Sequence, residues 1–224
     1  MTALALHGYY AILDVRGDVP GPAEASLARA RALLGAQPCC LQLRAKDLPV
    51  RPFVNLARAL AGLCREAGVP FCVNDRLDVA VLAGADVLHL GQEDLCLPHA
   101  RQILAGHESS MVIGVSTHTL EQAEAAVREG ADYIGFGPVF ATRSKLRPDA
   151  VVGLEGLRSV AARVPVPVVA IGGIRRADVA AVAKSGAAAA AVIADIDQAP
   201  VPAEAASEVA RLFDAAVERR DLHV

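Results

Sequence analysis

The sequence predicts a single (β/α)8 TIM barrel of the α/β class, and three observations support this prediction. Eight short apolar runs alternate with alanine- and leucine-rich stretches in which apolar residues recur at helical spacing. The chain has 224 residues, in the lower part of the range for one such barrel, so one domain over residues 1–224 is expected. Polar residues follow most of the runs, at the strand ends that form the active-site face of this fold.

The predicted strands are the apolar runs themselves. Runs without polar alternation, such as residues 168–171, need cover on both faces, as a parallel sheet provides. The eight strands are expected to begin near Tyr9, Cys40, Phe71, Val87, Met111, Tyr133, Val168 and Ala189.

Three of the intervening helices have especially clear spacing. They are predicted over Phe53 to Ala67, Leu120 to Glu129 and Ala203 to Glu218. Thr119 followed by Gln122 has the spacing of a capping box, which places the start of the second of these helices.

A faint internal repeat supports the alternation of helix and strand. Gly84, Gly130 and Gly186 each stand between a predicted helix and a predicted strand, where glycine commonly ends the helix. Their spacings of 46 and 56 residues are close to or equal to two units of 28, which is 224 divided by eight. A doubly wound open sheet uses the same alternation and is the alternative fold. No Gly-x-Gly-x-x-Gly motif follows the first strand, which counts against a dinucleotide-binding domain.

Composition and charge argue against several kinds of partner. Hydrophobic residues make up 54% of the chain, enough for one sizeable core. The 22 basic and 25 acidic residues are intermingled without a basic run, so neither nucleic acid nor an anionic membrane is an expected partner. Residues 1–7 lack the features of a secretory signal, and no apolar run reaches bilayer length, so a cytoplasmic protein is expected.

The cysteines are five in number and lack Cys-x-x-Cys spacing. We therefore expect buried, reduced thiols rather than a metal or redox site, since a free cysteine packs as a small hydrophobic residue. The five are Cys39, Cys40, Cys64, Cys72 and Cys96.

Charged residues after the second, third and fourth strands form a first candidate site. Arg44 and Lys46 are two residues apart on an extended segment, so they point the same way and suit an anion. Gln42 is expected beside them, facing the barrel interior. Asp75 and Asp94 follow neighbouring strands, and two carboxylates near these cations indicate a Mg²⁺ ion that bridges to phosphate oxygens. The alternative is an ordinary set of solvated charges and turn residues.

Glycines after the seventh strand indicate a second candidate site, for a phosphate. Gly172 and Gly173 let the backbone approach a ligand closely, and Ile193 and Ala194 after the eighth strand could present amide groups. TIM barrels often hold a phosphate in this region. A simple tight turn would use two glycines equally well.

The connection from Pro138 to Gly153 is long and irregular enough to be a lid. Its hydroxyl and basic side chains suit a phosphate that enters from outside, and the alternative is a solvated basic loop. These side chains belong to Thr142, Arg143, Ser144, Lys145 and Arg147.

Six motifs in sequence give the chain a resemblance to a known family. They are Gln42-Leu43-Arg44-x-Lys46, Asn74-Asp75-Arg76, His89-Leu90-Gly91-Gln92-x-Asp94, Gly114-Val115-Ser116-x-His118-Thr119, Gly135-x-Gly137-Pro138-Val139-Phe140-x-Thr142-x-Ser144-Lys145 and Ala170-Ile171-Gly172-Gly173-Ile174. Together they closely resemble the thiamine-phosphate synthases of the thiamine-phosphate synthase and thiazole tautomerase family. Each motif alone is weak, but the match runs in order from about Tyr9 to Ile196.

The resemblance implies a transferase that joins hydroxymethylpyrimidine pyrophosphate to a thiazole phosphate, giving thiamine phosphate and pyrophosphate. It also implies a dissociative reaction, in which pyrophosphate leaves before the thiazole nitrogen captures the pyrimidine cation. The implied ligands of the pyrimidine pyrophosphate are Gln42, Arg44, Lys46, Asn74, Ser116 and Lys145, of which Arg44, Lys46, Ser116 and Lys145 form the catalytic set. The implied ligands of Mg²⁺ are Asp75 and Asp94, and those of the thiazole phosphate are Thr142, Ser144, Gly173, Ile193 and Ala194.

Two positions depart from the family pattern, and two rival functions stay open. Ala194 stands where the family commonly has serine, and Ser144 replaces a usual threonine. A thiazole tautomerase would use His118 to move a proton. Judged from its sequence position alone, His118 is expected at the surface, and His89 is expected in the core or behind the site. The other rival is a non-catalytic sensor of phosphate ligands. A homo-oligomer is possible.

Overall fold

The computed structural model describes residues 6–15, 23–107, 109–142 and 149–221. Its eight strands are parallel and close into a barrel in which each strand pairs with its neighbours in sequence, and β1 pairs with β8. The strands are β1 (Gly8–Asp14), β2 (Cys40–Arg44), β3 (Phe71–Asn74), β4 (Val87–Leu90), β5 (Val112–Thr117), β6 (Tyr133–Phe136), β7 (Val168–Ile171) and β8 (Ala189–Ala191).

At least one helix follows each strand, and the helices cover the outside of the barrel. A 3-10 turn over Arg176–Asp178 precedes α7. The α-helices are α1 (Ala23–Leu34), α2 (Val50–Ala67), α3 (Leu77–Ala83), α4 (Leu97–Ala105), α5 (Leu120–Arg128), α6 (Gly153–Arg163), α7 (Val179–Lys184), α8 (Ala194–Asp197) and α9 (Pro202–Asp221).

The predicted TIM barrel is confirmed, and the open sheet is excluded because β1 and β8 are hydrogen-bonded partners. All eight strands begin within one residue of the predicted positions, and the three clearest helices end or begin within three. The helix-ending glycines are also confirmed, since Gly84, Gly130 and Gly186 all have positive φ angles. Half of the capping box is present: Thr119 Oγ1 accepts from the Gln122 amide, but the Gln122 side chain accepts from the amide of His118 instead.

The core has two parts, separated by the wall of the barrel. The larger part lies between the strands and the helices. The smaller part fills the barrel and includes Tyr10, Cys40, Cys72 and Tyr133. Successive residues of a strand point to opposite faces, so Tyr9 packs outside the wall and Tyr10 packs inside it. The interior is therefore a packed core that places its polar groups at the carboxyl ends of the strands.

The cysteine prediction holds for most of the five residues. All are free thiols, and Cys40, Cys64 and Cys72 are buried. Cys96 is exposed, because it lies at the start of α4 rather than inside a strand. Among the described helices, none has both the length and the apolar character that crossing a bilayer requires.

Candidate active site

The carboxyl ends of β2 to β5 bring the first candidate site together. Gln42 and Arg44 lie in β2, Asn74 is the last residue of β3, and Ser116 lies near the end of β5. The loops that follow these strands carry Lys46, Asp75 and Asp94. Parallel strands end at the same rim of the barrel, so strand ends that are far apart in the sequence become neighbours in space.

Asp75 is held in a backbone conformation that few residues adopt. Its φ angle is +66°, and its amide donates to the carbonyl oxygen of His89 at 2.8 Å. Left-handed backbone at a non-glycine residue costs free energy and occurs often at functional sites. The turn aims the Asp75 carboxylate towards Lys46, whose Nζ lies 3.7 Å from Asp75 Oδ2.

The two predicted metal ligands lie next to each other. The pKa of the Asp75 carboxyl is raised to about 6, chiefly by burial and also by the hydrogen bond to Asp94 and the charge of that residue. Lys46 and Arg44 oppose this rise. Two carboxylates that repel each other in a partly buried place are an arrangement that a divalent cation would relieve.

The local chain also fixes the second carboxylate. Asp94 Oδ2 accepts a hydrogen bond of 2.7 Å from the amide of Gly91, and a Cβ atom at residue 91 would lie only 2.7 Å from that oxygen. Glycine is therefore needed for Asp94 to fold back onto the strand end. Among the described residues no group of three or more His, Cys, Asp or Glu could hold a metal. The pair fits Mg²⁺ that takes its other ligands from water and phosphate.

Arg44 has a partner that the sequence interpretation missed. Its Nη1 donates to Asp14 Oδ1 at 2.6 Å, which joins the ends of β1 and β2. The ion pair fixes the guanidinium at the rim, beside the carboxylate pair. The missed signal was Asp14 itself, a charged residue at a strand end like the others that were noted.

Six polar side chains inside the barrel form one hydrogen-bonded chain, which we name the interior relay. Its five bonds are 2.8 to 3.0 Å long, and it spans the barrel from β3 to β5. Gln42 is 4% exposed, Asn74 7% and His89 8%. In spatial order the members are Asn74, Gln42, Tyr10, Tyr133, His89 and Ser116.

Two glycines of the sequence motifs make room for the relay. A Cβ atom at Gly114 would lie 2.1 Å from Cζ of Tyr133, and one at Gly135 would lie 3.2 Å from Cε1 of His89. These two glycines therefore leave the space that the rings of Tyr133 and His89 occupy. The sequence interpretation placed His89 in the core or behind the site, which is confirmed, but it missed Tyr10 and Tyr133. The available signal was the alternation along β1 and β6, which turns both rings inwards.

The second candidate site lies across the rim, after β7 and β8. Gly172 and Gly173 have φ angles of +97° and +65°. A Cβ atom at Gly173 would lie 2.4 Å from the carbonyl oxygen of Ala141, and the amide of Phe140 donates to the carbonyl of Gly172 at 2.9 Å. The glycine pair thus accommodates the start of the connection after β6. A phosphate contact at Gly173 stays a prediction.

Ile193 and Ala194 begin α8, beside an ion pair that was not foreseen. Asp195 Oδ2 accepts from Arg176 Nε at 2.7 Å, and Arg176 Nη1 also donates to Glu208 Oε2 at 2.8 Å. Arg176 therefore compensates a carboxylate that would otherwise oppose an anion at this rim.

The predicted lid is described only in part. Thr142 lies within the described residues, whereas Ser144 and Lys145, with Arg143 and Arg147, lie outside them. His118 was expected at the surface, but its side chain is only 17% exposed. Its Nδ1 donates to the Gly137 carbonyl oxygen, and its Nε2 lies 3.4 Å from Asp149 Oδ2. His118 directly follows β5, and it thus contacts the residue before the lid connection and Asp149 within its second described part.

These features define an enzyme-like TIM barrel whose carboxyl rim combines cations, paired carboxylates and a polar interior. The model of the family described as thiamine monophosphate synthase matches residues 9–196. The thiamine-phosphate synthase of Anaeromyxobacter dehalogenans is 46% identical over 189 residues, covering 84% of this chain and 83% of that protein. That of Moorella thermoacetica is 44% identical, covering 79% and 82%.

A solved structure agrees with the sequence relatives. The thiamine phosphate pyrophosphorylase from Pyrococcus furiosus superposes with a TM-score of 0.84 at 33% identity, covering 96% of this chain and all of that one. The chain belongs to the thiamine monophosphate synthase family. The family that the six motifs predicted is confirmed, and with it the prediction of a transferase.

Proposed function

We propose that the chain is a thiamine-phosphate synthase, which joins hydroxymethylpyrimidine pyrophosphate to thiazole phosphate and releases pyrophosphate. The observation that carries the proposal is the convergence of Arg44, Lys46 and the Asp75–Asp94 pair at one rim, above a polar interior. The relatives that bear this name support it, because the chain matches them over most of their length.

The chemistry follows from where charge develops. The bond between the pyrimidine methylene carbon and the pyrophosphate oxygen breaks, and its electron pair leaves with pyrophosphate. The thiazole nitrogen then uses its lone pair to form the new carbon–nitrogen bond. Negative charge grows on the leaving group, so fixed cations stabilise the transition state more than the ground state.

Each rim residue has a proposed task in this reaction. Arg44 and Lys46, joined by Lys145 from the lid connection, bind the pyrophosphate. Asp14 orients the guanidinium of Arg44 through their ion pair. A Mg²⁺ ion bound to Asp75 and Asp94 would supply further positive charge to the phosphate oxygens.

The remaining predicted residues bind the two rings and the second phosphate. Gln42, Asn74 and Ser116 lie at the inner end of the site and would hold the pyrimidine. The proposed ligands of the thiazole phosphate are Thr142, Ser144, Gly173 and the amides of Ile193 and Ala194. An amide contact at residue 194 would not need the hydroxyl that Ala194 lacks. Closure of the connection from Pro138 to Gly153 would keep water from the cation.

The tautomerase alternative depends on His118. Its Nδ1 is tied to the Gly137 carbonyl, which only accepts, so the proton on this nitrogen is held by the protein. The imidazole serves as a tether between loops in this arrangement. Lys46 and the carboxylate pair would also have no task in a tautomerase. The sensor alternative predicts binding without turnover.

Pyrophosphate release measured with each substrate alone and with both together tests the proposal. We expect release that requires the pyrimidine pyrophosphate, Mg²⁺ and the thiazole phosphate, with thiamine phosphate formed in equal amount. Binding of both substrates without product would support the sensor, and interconversion of thiazole isomers without pyrophosphate release would support the tautomerase.

Location and assembly are part of the proposal as well. We expect small molecules as the only substrates, a cytoplasmic location and possible homo-oligomerisation. Light scattering of the purified protein measures its mass directly, and fractionation of cells that produce it measures its location.

A further inference from the structure

The interior relay runs in one direction of hydrogen-bond donation. Tyr10 Oη donates to Gln42 Oε1, which is an acceptor only, and the thiol of Cys72 lies 4.0 Å from the same oxygen. The amide nitrogen of Gln42 then donates to Asn74 Oδ1. Because a hydroxyl has one proton, Tyr10 has none left for Tyr133 and must accept from it.

The same accounting fixes the other half of the relay. Tyr133 has given its proton to Tyr10, so it must accept from Nδ1–H of His89. Neutral imidazole has one N–H, so Nε2 of His89 carries a lone pair and accepts from the hydroxyl of Ser116. Burial favours this neutral form, because it lowers the pKa of His89 to about 4.

The two ends of the relay therefore present opposite properties to the site. Ser116 Oγ has spent its proton on His89, so it offers lone pairs. Asn74 has its carbonyl oxygen occupied by Gln42, so it offers the N–H groups of its amide. We propose that His89, Tyr133 and Tyr10 are positioning residues whose relay makes Ser116 an acceptor and Asn74 a donor towards the substrate.

The proposal rests on the proposed function and refines its choice of substrate. A suitable ligand is a nitrogen heteroaromatic ring with an exocyclic amino group that donates at Ser116 and a ring nitrogen that accepts at Asn74. The 4-aminopyrimidine ring meets both conditions. Its 4-oxo analogue presents a carbonyl oxygen in place of the amino group. Two acceptors, this carbonyl oxygen and Ser116 Oγ, would then face each other, which leaves buried groups unpaired.

Binding of two unreactive ligands tests the relay without turnover. The ligands are hydroxymethylpyrimidine monophosphate and its 4-oxo analogue, with dissociation constants measured by calorimetry on the whole protein. The wild type should prefer the amino compound by at least about tenfold. Tyr133→Phe removes the hydroxyl that links Tyr10 to His89. His89 then no longer has to accept the proton of Ser116, which is free to point at the ligand. The preference for the amino over the 4-oxo compound should therefore fall to within about threefold.

Tyr9→Phe is the matched control. Tyr9 is adjacent to Tyr10 on β1 but faces outwards, and its hydroxyl has no hydrogen-bond partner among the described residues. This variant should keep the wild-type preference. A purely structural effect of Tyr133→Phe would weaken both ligands equally and leave their ratio unchanged, and that result in a folded variant would overturn the proposal. If Tyr133→Phe does not fold, Tyr10→Phe interrupts the relay at the next bond.

The tautomer of His89 gives a readout that needs no ligand. Nitrogen-15 NMR of labelled wild-type protein should show that Nδ1 of His89 is protonated and Nε2 is not. The preference of the imidazole for this tautomer should weaken in Tyr133→Phe but not in Tyr9→Phe. A protonated Nε2 in the wild type would overturn the direction of the relay. Wild-type protein with the expected tautomer that binds neither pyrimidine would instead count against the proposed function.

Discussion

Replacing His89 with asparagine tests whether a neutral, buried imidazole makes the barrel sensitive to acid. The residue is 8% exposed, and burial lowers the pKa of its imidazole from 6.5 to about 4. In the unfolded chain the imidazole takes up a proton near pH 6.5, whereas in the folded barrel it stays neutral to about pH 4. Between these values the unfolded state binds more protons, so stability falls as the pH is lowered.

The size of the effect follows from the shift. A difference of about 2.5 pKa units corresponds to about 3 kcal/mol at 1.36 kcal/mol per unit. This is a large share of the roughly 5 to 15 kcal/mol by which a domain is usually stable. The raised pKa of Asp75 acts in the opposite direction, since its stabilising contribution is lost as the pH rises from 3.8 to about 6.

Urea unfolding at several pH values between 7.5 and 4 measures the difference directly. Asp75 is present in both proteins, so its contribution cancels when the variant is compared with the wild type. His89→Asn should be less stable at neutral pH because it loses relay bonds, but the wild type should lose about 3 kcal/mol more on acidification. His107→Asn, at an exposed position, is the control. Parallel curves for wild type and His89→Asn would refute the reasoning.

Four further predictions concern the rim and the barrel wall. Asp75→Asn should abolish turnover without straining the chain, because asparagine tolerates the left-handed backbone at this position. Chelation of metal should also abolish turnover, and full activity after chelation would contradict the metal site. Lys46→Ala should cost on the order of tenfold to a thousandfold in rate and His118→Ala less, whereas the reverse order would favour a tautomerase. Arg176→Ala should raise KM for thiazole phosphate with little change in kcat, and an unchanged KM would refute its role. Tyr9→Phe should leave the free energy of unfolding equal or about 1 kcal/mol higher, because a buried hydroxyl without a described partner is removed; a clear loss in urea unfolding would contradict this.

Much of the rim could be predicted because strand ends are a local property of the sequence. Lys46, Asp75 and Asp94 follow short apolar runs, and a parallel barrel brings all such ends to one face. The pair of acidic residues that was assigned to metal is indeed adjacent. Asp14 obeys the same rule and could have been included.

Other features depend on pairings that no local pattern contains. Tyr10 and Tyr133 are 123 residues apart and meet only inside the closed barrel. Gly114, whose conformation is not unusual, is required because a distant ring occupies the space of its side chain. Arg176 likewise finds its partners on α8 and α9.

The sequence by itself determined the barrel, because apolar periodicity, helix-ending glycines and chain length are all properties of neighbouring residues. It also determined which residues reach the carboxyl rim, since that depends only on where each strand ends. The tertiary structure decided which inward-facing groups share hydrogen bonds and in which direction those bonds run. Closure of the barrel and the register of its strands fix the distances across the interior, and those distances arise only when β1 and β8 pair.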